Sequence, residues 1–237
     1  MTKLLQILWL LFFVACKNEV SHHTDLKEYG LKGKIKKITT FNYEDIILKG
    51  DEWQPVDTSV GTFKTEIVLN KNGNIELLST GSMARNSASL PQNVTSTYSY
   101  ENGMKSGKHY ENGIEKGTIS YEWTDKKSYK IISYNKSGKI LFTSKIQLTD
   151  SFRDSSGEFR LFDGGDTLVY GHTYENILDS ENRLVRGIRT DLKSKERKET
   201  NFTYKQLDKS NNPLIIYLSY EKGDKPYRIS LRTYEYY

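Results

Sequence analysis

Hydrophobic and polar residues alternate with a period of two along most of the chain. The segment KILFTSKIQL (139–148) is an example, because Phe142 and Ile146 fall on one face and Lys145 falls on the other. Successive side chains of a strand point to opposite faces of its sheet. The segment is therefore predicted to be a strand with one buried face.

The end of the chain repeats this pattern. In PYRISLRTYEYY (226–237), Ile229 and Leu231 are separated by Ser230 and followed by a further alternation. The preceding run PLIIYLSY (213–220) differs, because both of its faces are apolar. A strand that is apolar on both faces is typical of a position covered on both sides, so we predict a central strand there.

Segments rich in Asn and Gly separate these runs. Both residues adopt a positive φ at low cost, so they close short hairpins whose twist matches the flanking strands. The spacing predicts an all-β fold, an antiparallel meander of successive β-hairpins that forms one large curled or open-barrel-like sheet. The turn segments are 70–74, 101–103, 111–113, 135–139, 163–166 and 209–213.

Three segments break the alternation. Asp25 opens the sequence DLKEY, which predicts one short helical turn with Asp25 as its cap. Residues 81–93 are rich in Ser and Asn and predict a long loop, and residues 150–165 predict a second irregular region. Neither has the composition of an interdomain linker, so residues 29–237 are assigned to a single antiparallel β domain.

The N-terminus carries a targeting signal. The apolar run that ends at Ala15 is shorter than the ~20 residues a membrane-spanning helix needs. It leads to Cys16, the single cysteine of the chain, and the sequence FVAC resembles the lipobox of bacterial lipoproteins. Residues 1–15 are therefore assigned to a lipoprotein signal peptide, and residues 16–28 to the lipidated Cys16 and a tether. The alternative is an unpaired thiol in an ordinary cleaved signal.

Composition supports a sheet and argues against a nucleic-acid partner. The 237 residues include 17 Tyr and 17 Gly but four Pro, which suits polar-faced strands joined by many turns. The net charge of +5 is spread over 27% charged residues of both signs. Nucleic-acid binding needs clustered positive charge, so we expect none.

Few residues form a pattern typical of chemistry. The four His and one Cys show no transition-metal spacing, and no Ser lies in Gly-x-Ser-x-Gly, so we predict no catalytic residue and no cofactor. Asp163 and Asp166, in FDGGDTLVYG, resemble one copy of the glycine-aspartate repeat of calcium-binding β-rolls. That family binds each ion between successive copies, so a hairpin turn with solvated carboxylates is favoured over a calcium site. A pair of catalytic carboxylates of the glycosidase type, contributed by two distant strands, is kept as an alternative.

Tyrosines recur on successive predicted strands. Tyr98, Tyr100, Tyr110 and Tyr121 form the candidate binding surface, since exposed Tyr rings stack on sugars or pack against proteins. The interpretation that we favour is that Tyr fills the core of a thin sheet while its hydroxyl reaches water.

Segments of this chain resemble two kinds of known repeat. The lipobox, the opening YGLKGKIKKI (29–38), the recurring Tyr-x-Tyr and the ending SLRTYEYY resemble a family of Bacteroidetes-type lipoproteins similar to the YD repeats of Rhs proteins. That resemblance implies an antiparallel sheet that curls into a shell. Residues 100–123, in which YENG occurs twice, resemble the MORN-type repeat, whose hairpins stack into a ribbon and occur in antitoxin or immunity partners.

These observations lead to an expected function. We expect a non-enzymatic lipoprotein, anchored to the outer membrane through Cys16, that binds an envelope protein or glycan on its sheet. The alternatives are an immunity-type protein that binds a secreted toxin, and a carbohydrate-active enzyme or carrier. Outer membrane is preferred because Lys17, not Asp, follows the cysteine.

Growth with labelled palmitate tests the lipid at Cys16. We expect label in the wild type and none in the Cys16→Ser variant, because a thioether cannot form on a hydroxyl. An immunoblot confirms equal amounts of both chains. Equal labelling of the two would contradict the assignment.

Overall fold

The computed structural model describes residues 23–59, 61–82, 93–101, 104–165 and 167–237. Cys16, Asp166 and most of the predicted loop at 81–93 lie outside these residues. The chain forms one short helix, α1, Asp25–Glu28, followed by strands. The strands are β1 Ile35–Tyr43, β2 Ile46–Lys49, β3 Glu52–Pro55, β4 Phe63–Leu69, β5 Ile75–Ser82, β6 Asn93–Glu101, β7 Met104–Glu111, β8 Ile114–Trp123, β9 Ser128–Asn135, β10 Ile140–Leu148, β11 Asp154–Phe162, β12 Leu168–Leu178, β13 Leu184–Asp191, β14 Arg197–Leu207, β15 Pro213–Ser219 and β16 Arg228–Tyr236.

Fourteen of the strands form a closed antiparallel barrel. Each strand from β4 to β16 pairs with its neighbour in sequence, which confirms the predicted meander. The predicted curled or open-barrel-like sheet is wrong, because β1 pairs with both β16 and β4. Pairing of the first strand with the last satisfies two rows of backbone groups that an open sheet would leave exposed at its edges.

The two YENG segments place their tyrosines on opposite faces of the sheet. Asn112 and Gly113 both have positive φ, 49° and 79°, and connect β7 to β8. The side chain of Tyr100 points into the barrel, whereas Tyr110 pairs with Thr95 on the outer face. A spacing of ten residues therefore does not repeat the face of the sheet.

The hairpin of β2 and β3 is a separate two-stranded sheet that lies against the outside of the barrel. Ile46 of the hairpin packs with Tyr43, Tyr217 and Ile229, which all point outward from barrel strands. The hydroxyl of Tyr217 donates a hydrogen bond to the carbonyl of Trp53 at 2.6 Å. The apolar outer face of β15 is thereby covered, which explains why that strand is apolar on both sides.

Helix α1 and the residues after it close one end of the barrel. Leu31 packs with Ile35, Ile38 and Leu69 on the inner wall, and Leu26 lies against the same cluster. The predicted helical turn is confirmed, but Thr24, not Asp25, is its N-cap, with Oγ1 accepting from Lys27 N. Across the described residues, no helix has the length and apolarity needed to cross a bilayer.

The irregular region predicted at 150–165 is wrong, because β11 occupies most of it. Asp154 to Phe162 pair with β10 on one side and β12 on the other. This segment lacks a clear apolar alternation because Gly157 stands at an inward position where an apolar side chain is expected. A Cβ there would meet the carbonyl of Lys145 and the ring of Tyr174, so the position has no room for one.

Charged pairs join neighbouring strands on the outer surface. Lys37 of β1 pairs with Glu66 of β4 at 2.7 Å, and Lys108 of β7 pairs with Glu115 of β8 at 3.0 Å. The outward faces of these strand pairs therefore carry ion pairs.

Truncation of Ile229 tests the outer cluster beneath the hairpin. Ile229 is 1% exposed, so Ile229→Ala leaves a cavity between hairpin and barrel and should lower the free energy of unfolding by about 2–4 kcal/mol. The control Ile114→Ala, at a strand residue that is 60% exposed, should cost less than about 1 kcal/mol. Urea unfolding measures both, and equal losses would contradict this packing.

Candidate functional site

A cavity of about 580 Å³ occupies the barrel interior beneath α1. Its size is within the range of pockets that hold small molecules. The charged and phenolic groups lie toward the end that α1 closes, and the apolar groups line the walls beyond them. The apolar lining includes Leu78, Ile119, Ile131, Phe142, Ile146, Phe202, Ile216 and Leu218.

Asp25 of α1 is buried at the closed end of this cavity. Its Oδ1 accepts a hydrogen bond from Lys105 Nζ at 2.8 Å. Its Oδ2 accepts from the backbone N–H of Ile75 at 2.7 Å and from the hydroxyl of Tyr100 at 2.5 Å. A buried carboxylate is stable when such partners replace water, so these contacts fix the helix inside the barrel.

Lys105 completes this contact from β7. Its ammonium group lies 4.7 Å from the ring centroid of Tyr98 and 4.6 Å from that of Tyr121. Ring faces attract a cation, and the attraction is stronger when water is excluded. The two tyrosines and Asp25 together hold the Lys105 charge within the lumen.

Glu28, at the other end of α1, is held by two partners. Its Oε1 accepts a hydrogen bond from the hydroxyl of Tyr129 at 2.7 Å, and its Oε2 lies 2.7 Å from Nε2 of His23. His23, Asp25 and Glu28 offer ligand atoms within 4.8 Å of one another, a grouping that the sequence analysis missed. All four carboxylate oxygens already have protein partners, so these contacts are explained by anchoring of the helix.

Asp154 at the start of β11 titrates far from the ordinary range of a carboxyl group. Burial, followed by the negative charge of Glu28, raises its pKa to about 7, against a smaller lowering by the Tyr174 hydrogen bond. The Tyr174 hydroxyl lies 3.1 Å from both carboxyl oxygens. The same burial and the nearby Asp154 charge raise the pKa of Tyr174.

Arg153 joins the helix to the wall. Its NH1 donates to the backbone carbonyl of Glu28 at 2.6 Å, and the side chain is 8% exposed. The guanidinium lies over Gly30, where a Cβ would overlap it and where φ is +65°. Glycine at this position therefore satisfies both the backbone conformation and the close approach of Arg153.

Two further arginines surround Tyr204 on β14. The guanidinium of Arg183 lies 5.6 Å from the Tyr204 ring centroid, and the Tyr204 hydroxyl donates to the carbonyl of Leu184 at 2.6 Å. Burial raises the pKa of Tyr204, while Arg232 and Arg153 oppose that rise. The positive charges of Arg153, Arg183 and Arg232 all act on Tyr204, so the three arginines lie around one part of the cavity.

The structure brings together three of the four tyrosines of the candidate binding surface. Tyr98, Tyr100 and Tyr121 lie inside the barrel around Lys105, with the rings of Tyr98 and Tyr121 6.2 Å apart. Tyr110 lies on the opposite, outer face of β7. Most of the expected surface is therefore part of the lumen wall.

Asp163, singled out from the sequence as a weak calcium candidate, does not line this cavity. Asp163 Oδ1 accepts from the N–H of Gly165 at 2.8 Å within the β11–β12 turn, as expected for a hairpin corner. Asp166 and Cys16 lie outside the described residues.

Glu28, Arg153 and Asp154 line the cavity but carry no local sequence signal. The contact between Arg153 and Glu28 joins residues 125 positions apart, and that between Tyr129 and Glu28 joins residues 101 positions apart. The described part of the predicted tether, from His23 to Glu28, lines the closed end of the barrel interior. A pattern read within a short stretch of sequence cannot reveal contacts between residues so far apart.

Comparisons with known proteins show similarity of fold alone. No family model matches the chain, and no curated protein sequence matches it. A porin-like protein from Bacteroides vulgatus ATCC 8482 is 12% identical with a TM-score of 0.48, covering 86% of this chain and 99% of that one. A porin-like protein from Bacteroides uniformis ATCC 8492 is 12% identical with a TM-score of 0.44, covering 85% and 96%. At these values the likeness carries no argument about family or activity.

The raised pKa of Asp154 predicts how stability depends on pH. The folded state holds this proton up to about pH 7, whereas the unfolded state releases it near 3.8. The free energy of unfolding should therefore fall as pH rises between these values, and it should reach its full decrease above the pKa of the folded state.

Replacement of the carboxyl group should remove this dependence. We expect Asp154→Asn to gain stability relative to wild type from about pH 4 to about pH 8, with an upper bound of about 4 kcal/mol. Asp150→Asn, at an exposed carboxylate paired with Lys127, should show no such gain. Urea unfolding across the pH range measures both, and parallel curves for wild type and Asp154→Asn would contradict the assignment.

Proposed function

We propose that the barrel binds a small, partly apolar molecule in its lumen and acts as a non-enzymatic binding protein or carrier. The observation that carries this proposal is the cavity of about 580 Å³ inside the barrel, with apolar walls and a polar end. Ligand sites commonly combine a mainly apolar lining with a few placed polar groups. The tyrosines expected on an outer surface support lumenal binding instead, because three of them line this interior.

Binding is favoured over hydrolysis by the state of the lumenal carboxylates. Asp25 and Glu28 use their oxygens to hold α1 in place, so neither is free to act as a general base. Of the other two carboxyl groups that line the cavity among the described residues, Glu181 is paired with Arg183 at 3.1 Å, which leaves Asp154. A single carboxyl group does not supply the acid and base pair of a glycosidase.

The polar outer surface supports a location beside a membrane rather than within it. The ion pairs Lys37–Glu66 and Lys108–Glu115 would be costly in lipid. We propose that a lipid on Cys16 holds the barrel at the outer membrane, with the closed end toward the anchor. His23, the first described residue, lies at that closed end against Trp123 and Tyr129.

A neutral fluorescent probe tests lumenal binding. We expect N-phenyl-1-naphthylamine to bind the wild type at one saturable site and to fluoresce more strongly there, because the walls exclude water. Phe202→Asp places a charge on the inner wall of β14 and should weaken binding about tenfold or more.

The neighbouring residue provides a matched control. Thr203 is exposed on the outer face of the same strand, so Thr203→Asp should leave probe affinity within about twofold of wild type. Circular dichroism confirms that both variants keep the fold. No saturable binding to the wild type, or equal loss in both variants, would contradict the proposal.

A further inference from the structure

We propose that Arg153 and Arg232 form a binding site for the oxyanion head of an amphiphilic ligand, a carboxylate or phosphate that carries an apolar tail. This inference rests on the proposed lumenal binding and names the chemical class of the ligand. It is carried by two arginines that line the same cavity and that, in the described part of the chain, have no carboxylate at ion-pair distance.

Arg153 is buried, with 8% of its surface exposed, and it does not use all of its hydrogen-bond donors. Its NH1 is used by the Glu28 carbonyl, but its buried Nε has no partner. Within the described chain, no carboxylate forms an ion pair with this side chain. A guanidinium group without a carboxylate partner has charge-assisted hydrogen bonds still to form, and a ligand oxyanion would supply their acceptors.

Arg232 presents the same feature from β16. It pairs with Thr40 in the ladder, on the face of the sheet that points into the barrel, and its buried Nε has no partner. No described carboxylate lies in an ion pair with it. Arg183 differs, because its guanidinium is engaged by Asp179 at 2.8 Å and Glu181 at 3.1 Å. The cavity therefore contains two arginines whose positive charges have no carboxylate at contact distance.

The negative groups nearby do not replace such a ligand. Glu28 is occupied by Tyr129 and His23. Asp154 accepts hydrogen bonds from Tyr174 and has no ion pair with its neighbour Arg153. Neither carboxyl group forms an ion pair with Arg153 or Arg232, so a ligand oxyanion would be the first anionic group in hydrogen-bond contact with these guanidinium groups.

The apolar wall next to these arginines indicates where the tail lies. Ile216 pairs with Tyr204 and Leu218 pairs with Phe202, one step further from α1. All four residues line the cavity. A head group at Arg232, with the tail running away from α1 along these residues, places charge against charge and hydrocarbon against hydrocarbon.

Displacement of the neutral probe tests this assignment with ligands that share one tail. Decanoate, decyl phosphate and decanol are compared at about pH 6, where decanoate is ionised and Asp154 still holds its proton. We expect each anion to bind the wild type at least about tenfold more tightly than decanol, as charge-assisted hydrogen bonds imply. A preference for one anion over the other distinguishes a carboxylate from a phosphate head.

Arg232→Gln should remove most of this preference while changing decanol affinity less than about threefold. Arg228→Gln is the matched control on the same face of β16, because Arg228 also has a buried unpartnered Nε but is paired with Glu44 at 2.5 Å and does not line the cavity. It should keep the preference for anions.

The outcomes separate this inference from the function on which it rests. Equal affinity of the wild type for decanol and both anions, with the probe still bound, overturns the anion site and leaves lumenal binding standing. Loss of probe binding altogether overturns both. The wild-type comparison needs no variant, so it decides the matter even where Arg232→Gln does not fold.

Discussion

Closure of the barrel depends on the double pairing of β1, which joins the end of the chain to its beginning. Residues from Ile35 to Tyr43 pair with β16 on one side, and Lys37 to Asn42 pair with β4 on the other. This pairing leaves no open edge in the main sheet, and it creates an interior that a flat sheet of the same strands would not have. The cavity and every residue that lines it depend on this pairing.

The closed end is held by charge rather than by apolar packing alone. Asp25 brings a carboxylate into the barrel, and Lys105, Tyr100 and a backbone N–H replace the water it loses. Removal of one partner from such a buried network leaves another unpaired, which costs more than the pair contributes. The short helix is thus part of the barrel. Its polar contacts lie at the closed end of the cavity, and the apolar walls lie beyond them.

Local pattern predicted much of the architecture. Alternation identified the strands around Phe142 and Ile229, and Asn-Gly pairs identified corners such as Asn112-Gly113. It missed β11, because Gly157 stands where an apolar residue is expected, and it missed the packing of the β2–β3 hairpin. It also missed the site, since Glu28 and Arg153 meet across 125 positions of sequence.

A period of two is a property of neighbouring residues, so the sequence carries it directly, together with the turns that bend the chain back. Which face points inward is not local. Phe142 and Ile146 of β10 line the lumen, yet Ile229 and Leu231 of β16 pack outward beneath the hairpin and leave Arg232 inside. The face of each strand that points inward depends on what covers its two faces. Apolar surface is buried against whichever element packs on it, and only the closed barrel and its outer hairpin show which element that is.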